Sequence, residues 1–165
     1  MFQPQHMEVF QMSQRTNSTH RIRIAAPIAQ CHRFFTPAGE ELWVDGWNPT
    51  YLFPHTGHTE KGMVFTTGSG EDFTLWNLVD FDTVNYYSRY TRVTPALRTG
   101  TVEVRCKSVD DETTEVDVTY TLTALTDKGR VSLKSFEGEA FSDMIGSWQR
   151  FIEQHLPFLL SAQIR

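Results

Sequence analysis

Residues 126–160 read TDKGRVSLKSFEGEAFSDMIGSWQRFIEQHLPFLL, and this stretch decides how the rest of the chain must fold. Its apolar residues recur mostly three or four positions apart with polar residues between them, which is the spacing of one face of an α-helix. These apolar positions are Leu133, Phe136, Phe141, Met144, Ile145, Trp148, Phe151, Ile152, Leu156 and Leu159. We therefore predict one long amphipathic helix over 126–160. An apolar face of this length needs a large partner surface.

Two glycines and a proline interrupt the helical pattern. Inside a helix, Gly138 and Gly146 each cost about 1 kcal/mol relative to alanine, and Pro157 is expected to end or kink the helix near His155. Two interpretations of the glycines stay open. They allow close packing against a sheet, or they leave room for a ligand beside the neighbouring large side chains.

The chain before this helix alternates between short extended segments and turn residues. Alternating apolar and polar positions predict a first strand over 19–25. Two short helices are then predicted at 27–35 and 37–44, each with a proline at its start. Six further strands are predicted at 50–53, 63–67, 72–80, 85–93, 101–107 and 115–122. Residues 1–18 are polar without a sustained period, which predicts a mobile tail before a single domain over 19–165.

The last two strands predict their own pairing. Each has one apolar face, and a hairpin loop at 110–112 places Val104 opposite Val118. The same register places Arg105 opposite Asp117 and Lys107 opposite Glu115, so that opposite charges meet on the wet face. A shift of one residue would turn every valine to water, which makes this register a strong prediction. The alternation over 85–93 is too mixed to show which face of that strand is buried.

These elements predict an α+β fold class. Consecutive antiparallel strands with short turns form a meander, and a twisted meander curls around whatever covers its inner face. We expect a curved antiparallel sheet of about seven strands around the C-terminal helix, with the two short helices following the first strand. A single helix cannot fill the concave side of such a sheet. A cavity between sheet and helix is therefore expected.

Several short motifs resemble a known family. They are IAAPI at 24–28, TPAGEELW at 36–43, TLW at 74–76, RVTP at 92–95 and VTYTLTAL at 118–125. Over roughly residues 19 to 156 the chain resembles the START-related, Bet v 1-like superfamily, in particular its small single-domain bacterial members. The resemblance implies the helix-grip fold and its cavity. It implies no mechanism, because carriers, hormone receptors, polyketide cyclases, lipid-transfer domains and chaperone activators share this fold.

Composition excludes some partners. The net charge is -5 and the isoelectric point is near 5.6, which argues against nucleic acid because such partners attract basic patches. No apolar run approaches the roughly 20 residues of a membrane span, so we expect no membrane insertion and a cytoplasmic protein. Cys31 and Cys106 fall on a helix and a strand, and we expect two buried thiols. Monomer and homodimer both stay open.

Signatures of catalysis and metal binding are weak. His55 and His58 stand close together, but they lie in a loop without a supporting cysteine or carboxylate, so we predict solvated histidines and no metal. No Gly-x-Ser-x-Gly motif is present to indicate a nucleophile. The glycines at 68 and 70 flank a turn between strands rather than a phosphate loop. We predict no cofactor, and catalytic residues stay unassigned.

Aromatic residues form the most informative set, because they come from the short helices, the inner sheet and the long helix. The candidate ligand-binding residues are Trp43, Trp47, Phe65, Trp76, Tyr90, Tyr120, Phe141, Ile145 and Trp148. Rigid rings around a cavity suit a flat or apolar ligand, although aromatic residues at such spacings also form ordinary cores. Asn77 and the two tyrosine hydroxyls would orient a ligand if they point inward. For Arg92 we expect a surface position, because a buried charge without a partner is unfavourable.

Three functions fit these observations in descending order. The first is binding, transport or sequestration of a hydrophobic or aromatic small molecule in the cavity. The second is a cyclase- or dehydratase-like enzyme that moves protons on a polyketide-like substrate in the same cavity. The third is a chaperone-activator-like module that contacts a protein partner. A histidine with a carboxylate partner deep in the cavity would favour the enzyme. A cavity filled by packed side chains, together with an exposed apolar patch elsewhere on the protein, would favour the third function.

Overall fold

The computed structural model describes residues 14–165, which form one antiparallel sheet with helices on its concave side. The sheet has seven strands in the order β1-β7-β6-β5-β4-β3-β2. Their bounds are β1 Arg15–Ile24, β2 Thr50–Phe53, β3 Val64–Thr67, β4 Thr74–Asp82, β5 Tyr87–Thr94, β6 Arg98–Asp110 and β7 Thr113–Ala124. The predicted meander is confirmed for β2 to β7, and β1 returns to the far edge beside β7.

Two short helices follow β1, as predicted. They are α1 Ile28–Phe34 and α2 Pro37–Glu40. Thr36 caps α2, because its hydroxyl accepts a hydrogen bond of 3.0 Å from the backbone N–H of Gly39. Residues 41–46 continue as turns and a bend, so this helix is shorter than the predicted 37–44.

The first strand begins at Arg15, four residues before its predicted start at Thr19. Thr16 is buried and pairs with Leu122 of β7, and the Ser18 hydroxyl donates a hydrogen bond of 2.8 Å to the carbonyl of Phe136. The sequence did not indicate this extension, because its threonine and serine residues are polar and show no alternation of apolar and polar positions. Threonine is nevertheless common in strands. Residues 1–13, the rest of the predicted tail, lie outside the described residues.

The β6–β7 hairpin has the predicted register. Arg105 pairs with Asp117, Lys107 with Glu115 and Val104 with Val118. The valines are buried and the charged side chains lie on the outer face. The connection is tighter than predicted, because Asp110 already pairs with Thr113 across the turn.

The C-terminal segment is not the single helix that its pattern predicts. It consists of α3 Asp127–Ser132, a 3-10 turn Leu133–Phe136, and α4 Gly138–Ser161. The break lies at Glu137, which is extended, and at Gly138, whose φ of +57 favours glycine. Gly138 therefore starts a helix instead of weakening the middle of one. Helix α4 also passes Pro157 without ending near His155.

Helix α4 packs its apolar face against the sheet. Phe141, Ile145, Ile152 and Leu159 are buried on this face. On β5 the inner face, which the sequence left open, carries Ser88, Tyr90, Arg92 and Thr94, because these four residues are buried. Cys31 and Cys106 are buried free thiols, as predicted. Within residues 14–165, no helix is long and apolar enough to cross a membrane.

Candidate functional site

A cavity of about 360 Å³ lies between the sheet and the helices. Strands β3 to β7, helix α2 with the turns after it, and one residue of α4 form its wall. The lining residues are Phe35, Pro37, Glu40, Val44, Gly46, Trp47, Phe65, Thr67, Gly68, Asp72, Thr74, Trp76, Tyr90, Arg92, Arg98, Val102, Val104, Tyr120 and Trp148. The expected space between sheet and helix is therefore present.

A cluster of four aromatic rings forms one wall of the cavity. Phe65 and Trp76 stack with ring centres 5.7 Å apart and planes 4° from parallel. Trp47 meets Trp76 edge to face at 6.0 Å, and Tyr90 meets it at 6.1 Å. Such offset and edge-on pairs hold each ring at a defined angle. The wall is consequently a rigid apolar surface.

Hydrogen bonds fix the polar ends of these rings. The indole N–H of Trp76 donates to the Thr67 hydroxyl at 2.9 Å, and that of Trp47 donates to the Pro37 carbonyl at 3.0 Å. The hydroxyl of Tyr90 donates to the Phe35 carbonyl at 3.1 Å. Because these groups are already paired with protein, the wall presents mainly ring surface to the cavity.

Tyr120, on β7, lines the cavity outside this cluster of four rings. It stacks on Phe136 at 5.8 Å and meets Phe141 edge to face at 5.4 Å. Burial raises the pKa of Tyr120 to about 12, although the charge of Arg92 acts in the opposite direction. Its hydroxyl is thus a neutral group near neutral pH.

Six of the nine predicted ligand-binding residues line the cavity: Trp47, Phe65, Trp76, Tyr90, Tyr120 and Trp148. The other three lie behind the wall. Trp43 is buried, with its indole N–H donating to the Phe34 carbonyl at 2.8 Å, and Phe141 packs behind Tyr120. Ile145 is fully buried between α4 and the sheet. Helical spacing placed these three on the inner side of their segments, but it could not distinguish cavity wall from packed core.

The prediction of a surface position for Arg92 is wrong. Its residue is only 8% exposed, it lines the cavity, and its guanidinium lies 4.6 Å from the centre of the Trp76 ring. A signal existed, because Arg92 lies two positions from Tyr90 and strand residues two apart share a face. The same parity places Asn77, next to Trp76, on the outer face, away from the cavity.

Arg98 is a second cationic residue at the cavity that the sequence did not indicate. It is 9% exposed, and its Nη1 donates to the Ser132 hydroxyl at 2.9 Å. Its guanidinium lies 4.6 Å from the centre of the Phe136 ring. Burial lowers the pKa of Arg98, and it lowers the pKa of Arg92 to about 10, so both remain cationic near neutral pH.

Glu40, from the short helix α2, brings a carboxyl group to the cavity. Glu40 is half-buried, and burial raises the pKa of its carboxyl well above the usual range. The group is a candidate proton donor, which sequence reasoning missed.

Among residues 14–165, the histidines do not form the arrangement that would favour an enzyme. His32 is buried outside the cavity lining, where its Nε2 shares a hydrogen bond of 2.8 Å with the Ser88 hydroxyl. His55 and His58 are exposed in the loop before β3, as expected. Within residues 14–165, no group of three or more histidine, cysteine or acidic residues could hold a metal ion.

The helix glycines do not make room for a ligand. The missing side chain of Gly146 would face Nε2 of His20 on β1 at 3.9 Å. Gly138 lies in open space at the start of α4. Neither glycine lines the cavity. Neither interpretation holds: a Cβ at Gly146 would fit at ordinary contact distance, and Gly138 is explained by its backbone conformation, with a φ of +57.

Several solved structures share this architecture. Major latex-like protein 151 from Panax ginseng matches with a TM-score of 0.64 at 14% identity, over 86% of this chain and 97% of that chain. The Zhui aromatase/cyclase from Streptomyces sp. R1128 matches at 0.59 and 14% identity, over 86% and 96%. Norcoclaurine synthase from Thalictrum flavum matches at 0.62 and 8% identity, over 89% and 92%.

No protein-family model matches the sequence, and no curated protein matches it significantly. Matches to solved structures at 8% and 14% identity establish fold rather than activity. The curved sheet of seven antiparallel strands, the long C-terminal helix and the two short helices after β1 agree with those structures. The chain has the helix-grip fold of the START-related, Bet v 1-like superfamily.

Proposed function

We propose that the protein binds an apolar or aromatic small molecule in the cavity between sheet and helices. The observation that carries this proposal is the open, ring-lined space beside Phe65, Trp76 and Trp47. Pockets that bind small molecules are typically concave and mostly apolar, with few polar groups. Transport or sequestration of the bound molecule, in the cytoplasm, extends the same proposal.

The fold relatives support a ligand of this kind. The solved norcoclaurine synthase holds dopamine and hydroxybenzaldehyde, which are both aromatic, and the Streptomyces relative is an aromatase/cyclase. Their identity to this chain is low, so they indicate a class of ligand and no particular molecule.

The test compares two tryptophans of similar burial. Trp76 lines the cavity and is 7% exposed, whereas Trp43 lies behind the wall and is 3% exposed. We expect Trp76→Leu to weaken binding of the neutral fluorescent probe N-phenyl-1-naphthylamine at least tenfold. Trp43→Leu should change it less than threefold. Equal effects of the two substitutions would contradict the proposal, and native mass spectrometry of the purified protein would show directly whether a small molecule is retained.

A second candidate function is an acid-base enzyme of the cyclase or dehydratase type, and the position of Glu40 favours it. A proton donor in the cavity must titrate near neutral pH to be effective. The titration of Glu40, followed by NMR of its side-chain carboxyl carbon with Glu40→Gln for assignment, tests this requirement. A pKa of Glu40 in the ordinary carboxyl range would remove the candidate. The protein-partner function is not proposed, because the cavity is open rather than filled.

A further inference from the structure

Arg92 occupies an unusual position for a charged side chain. It lies on the inner face of β5, is 8% exposed, and faces the cavity beside Trp76 and Tyr120. Transfer of a charge from water into a protein interior is unfavourable unless the charge is paired. A residue in this position therefore calls for a compensating partner.

Among residues 14–165, the guanidinium of Arg92 has no such partner. Its Nε has no hydrogen-bond acceptor, and the ion pairs of the described chain do not include it. The faces of Trp76 at 4.6 Å and Phe136 at 6.0 Å attract the cation. Ring faces offer a weaker attraction than a carboxylate and accept no conventional hydrogen bond from the guanidinium edge.

Arg98 adds a second charge of the same sign. It lines the same cavity, and its Nε also lacks a hydrogen-bond acceptor within the described residues. The ring of Phe136 lies against both guanidinium groups, at 6.0 Å from Arg92 and 4.6 Å from Arg98. Two cations that converge on one apolar ring repel each other unless an anion lies between or beside them.

The acidic groups that line the cavity do not supply that anion. Asp72 is exposed and forms no ion pair with either arginine within the described chain. Glu40 is likewise absent from these ion pairs, and burial raises its pKa well above its usual range. The hydroxyl of Tyr120 is neutral. The charge of Asp72 acts on Arg98 from a distance, since it raises the pKa of Arg98, but within the described residues no carboxylate forms an ion pair with either guanidinium.

We propose that Arg92 and Arg98 form an anion subsite that binds the carboxylate of an otherwise apolar or aromatic ligand. A guanidinium offers planar, paired N–H donors that match a carboxylate, and such bonds are stronger in a water-poor site. The ring-lined wall beside Trp76 would hold the apolar body of the same molecule. The ligand class is then a carboxylic acid with a flat or apolar body. This inference rests on the proposed function.

Matched competitors test the charge preference. N-phenyl-1-naphthylamine, which is neutral, reports occupancy of the cavity, and 2-naphthoate and 2-naphthamide compete for it with the same shape but different charge. We expect 2-naphthoate to displace the probe at a concentration at least tenfold lower than 2-naphthamide does. Equal displacement would overturn the anion subsite and leave the proposed function intact, since the probe still binds. Failure of the probe to bind would overturn both.

Substitutions then test whether the two arginines cause the preference for 2-naphthoate. Arg92→Met should abolish the difference between the two competitors, measured within that variant as the ratio of the concentrations at which 2-naphthoate and 2-naphthamide displace the probe. Arg92→Lys, which keeps the charge but loses the planar fork, should restore part of the difference. The matched control is Arg89→Met, because Arg89 lies on the same strand but is exposed on the outer face. Preference for 2-naphthoate that survives both Arg92→Met and Arg98→Met would overturn the assignment.

Discussion

On the outer face of β1 and β7, Arg21 pairs with Asp117 at 2.8 Å and Arg23 pairs with Glu115 at 3.0 Å. Both ion pairs are exposed to water. On the inner face of the neighbouring β5 and β6, Arg92 and Arg98 are buried without a carboxylate partner in the described chain.

The exposed ion pairs and the buried arginines affect stability differently. The exposed pairs contribute little to stability, because water already solvates them well, but they fix the alignment of neighbouring strands. The buried arginines oppose folding, since burial disfavours their charged form. They are explained more readily by a ligand than by the fold. The core thus has a packed side, which includes His32 and Val118, and an open side, which the residues lining the cavity form.

The largest effect is expected from His32 on the packed side. Burial lowers the pKa of His32 to about 4, against 6.5 in an unfolded chain. The unfolded state therefore binds more protons between these two values, and stability should fall as the pH drops from 6.5 to 4. When His32 is protonated in both the folded and the unfolded state, the free energy of unfolding has fallen by about 3 kcal/mol, because each unit of pKa difference corresponds to about 1.4 kcal/mol.

Urea unfolding at several pH values measures this loss. His32→Gln, which cannot titrate, should show a shallower dependence on pH than the original protein. His55→Gln is the control, because His55 is exposed. Parallel pH profiles for the original protein and His32→Gln would show that His32 is not the group responsible.

The next effect compares two inner-face valines. Val118 on β7 is 0% exposed in the packed side, whereas Val102 on β6 is 5% exposed and lines the cavity. Val118→Ala should lower the free energy of unfolding by about 2 to 3 kcal/mol, because it removes buried methyl groups and leaves a new void. Val102→Ala only enlarges an existing space and should cost about 1 kcal/mol. Equal losses in chemical denaturation would mean that the cavity wall is packed as tightly as the core.

The two glycines of the C-terminal helix should respond with opposite signs. Gly138→Ala is expected to destabilise by about 1 to 2 kcal/mol, because the left-handed conformation disfavours a Cβ atom. Gly146→Ala should stabilise by up to about 1 kcal/mol, because a Cβ there meets Nε2 of His20 only at ordinary contact distance, 3.9 Å. Thermal unfolding measures both changes. If Gly138→Ala stabilised the protein, the break at Gly138 would be contradicted, and the continuous helix predicted from the sequence would be favoured instead.

The smallest effect concerns the free protein without ligand. Arg92→Met should raise the free energy of unfolding by about 1 kcal/mol, because replacing a buried charge by an apolar side chain of similar length is neutral to stabilising. Arg89→Met on the outer face should leave it nearly unchanged. A clear loss of stability in Arg92→Met would show that the guanidinium contributes to the fold through its contact with Trp76.

The sequence was most informative where two patterns supported one another. The β6–β7 register was predictable because apolar alternation and opposite charges required the same alignment, with Val104 opposite Val118 and Arg105 opposite Asp117. The helix-grip architecture followed from strand count, helix length and family motifs. Six cavity residues were also predictable, because large aromatic side chains on the inner faces of a curved sheet must point into the same space.

Tertiary structure alone decided the rest, because local patterns report which face a residue lies on and not what it meets there. Trp43 and Trp76 both satisfy their indole N–H groups and both are buried, yet only Trp76 reaches the cavity. The break at Gly138 depends on backbone conformation, which periodicity does not record. Residues 126–160 thus determined by themselves that a helix would need a sheet. The packing of that sheet determined that a cavity remained beside the helix, with two arginines that form no ion pair within residues 14–165.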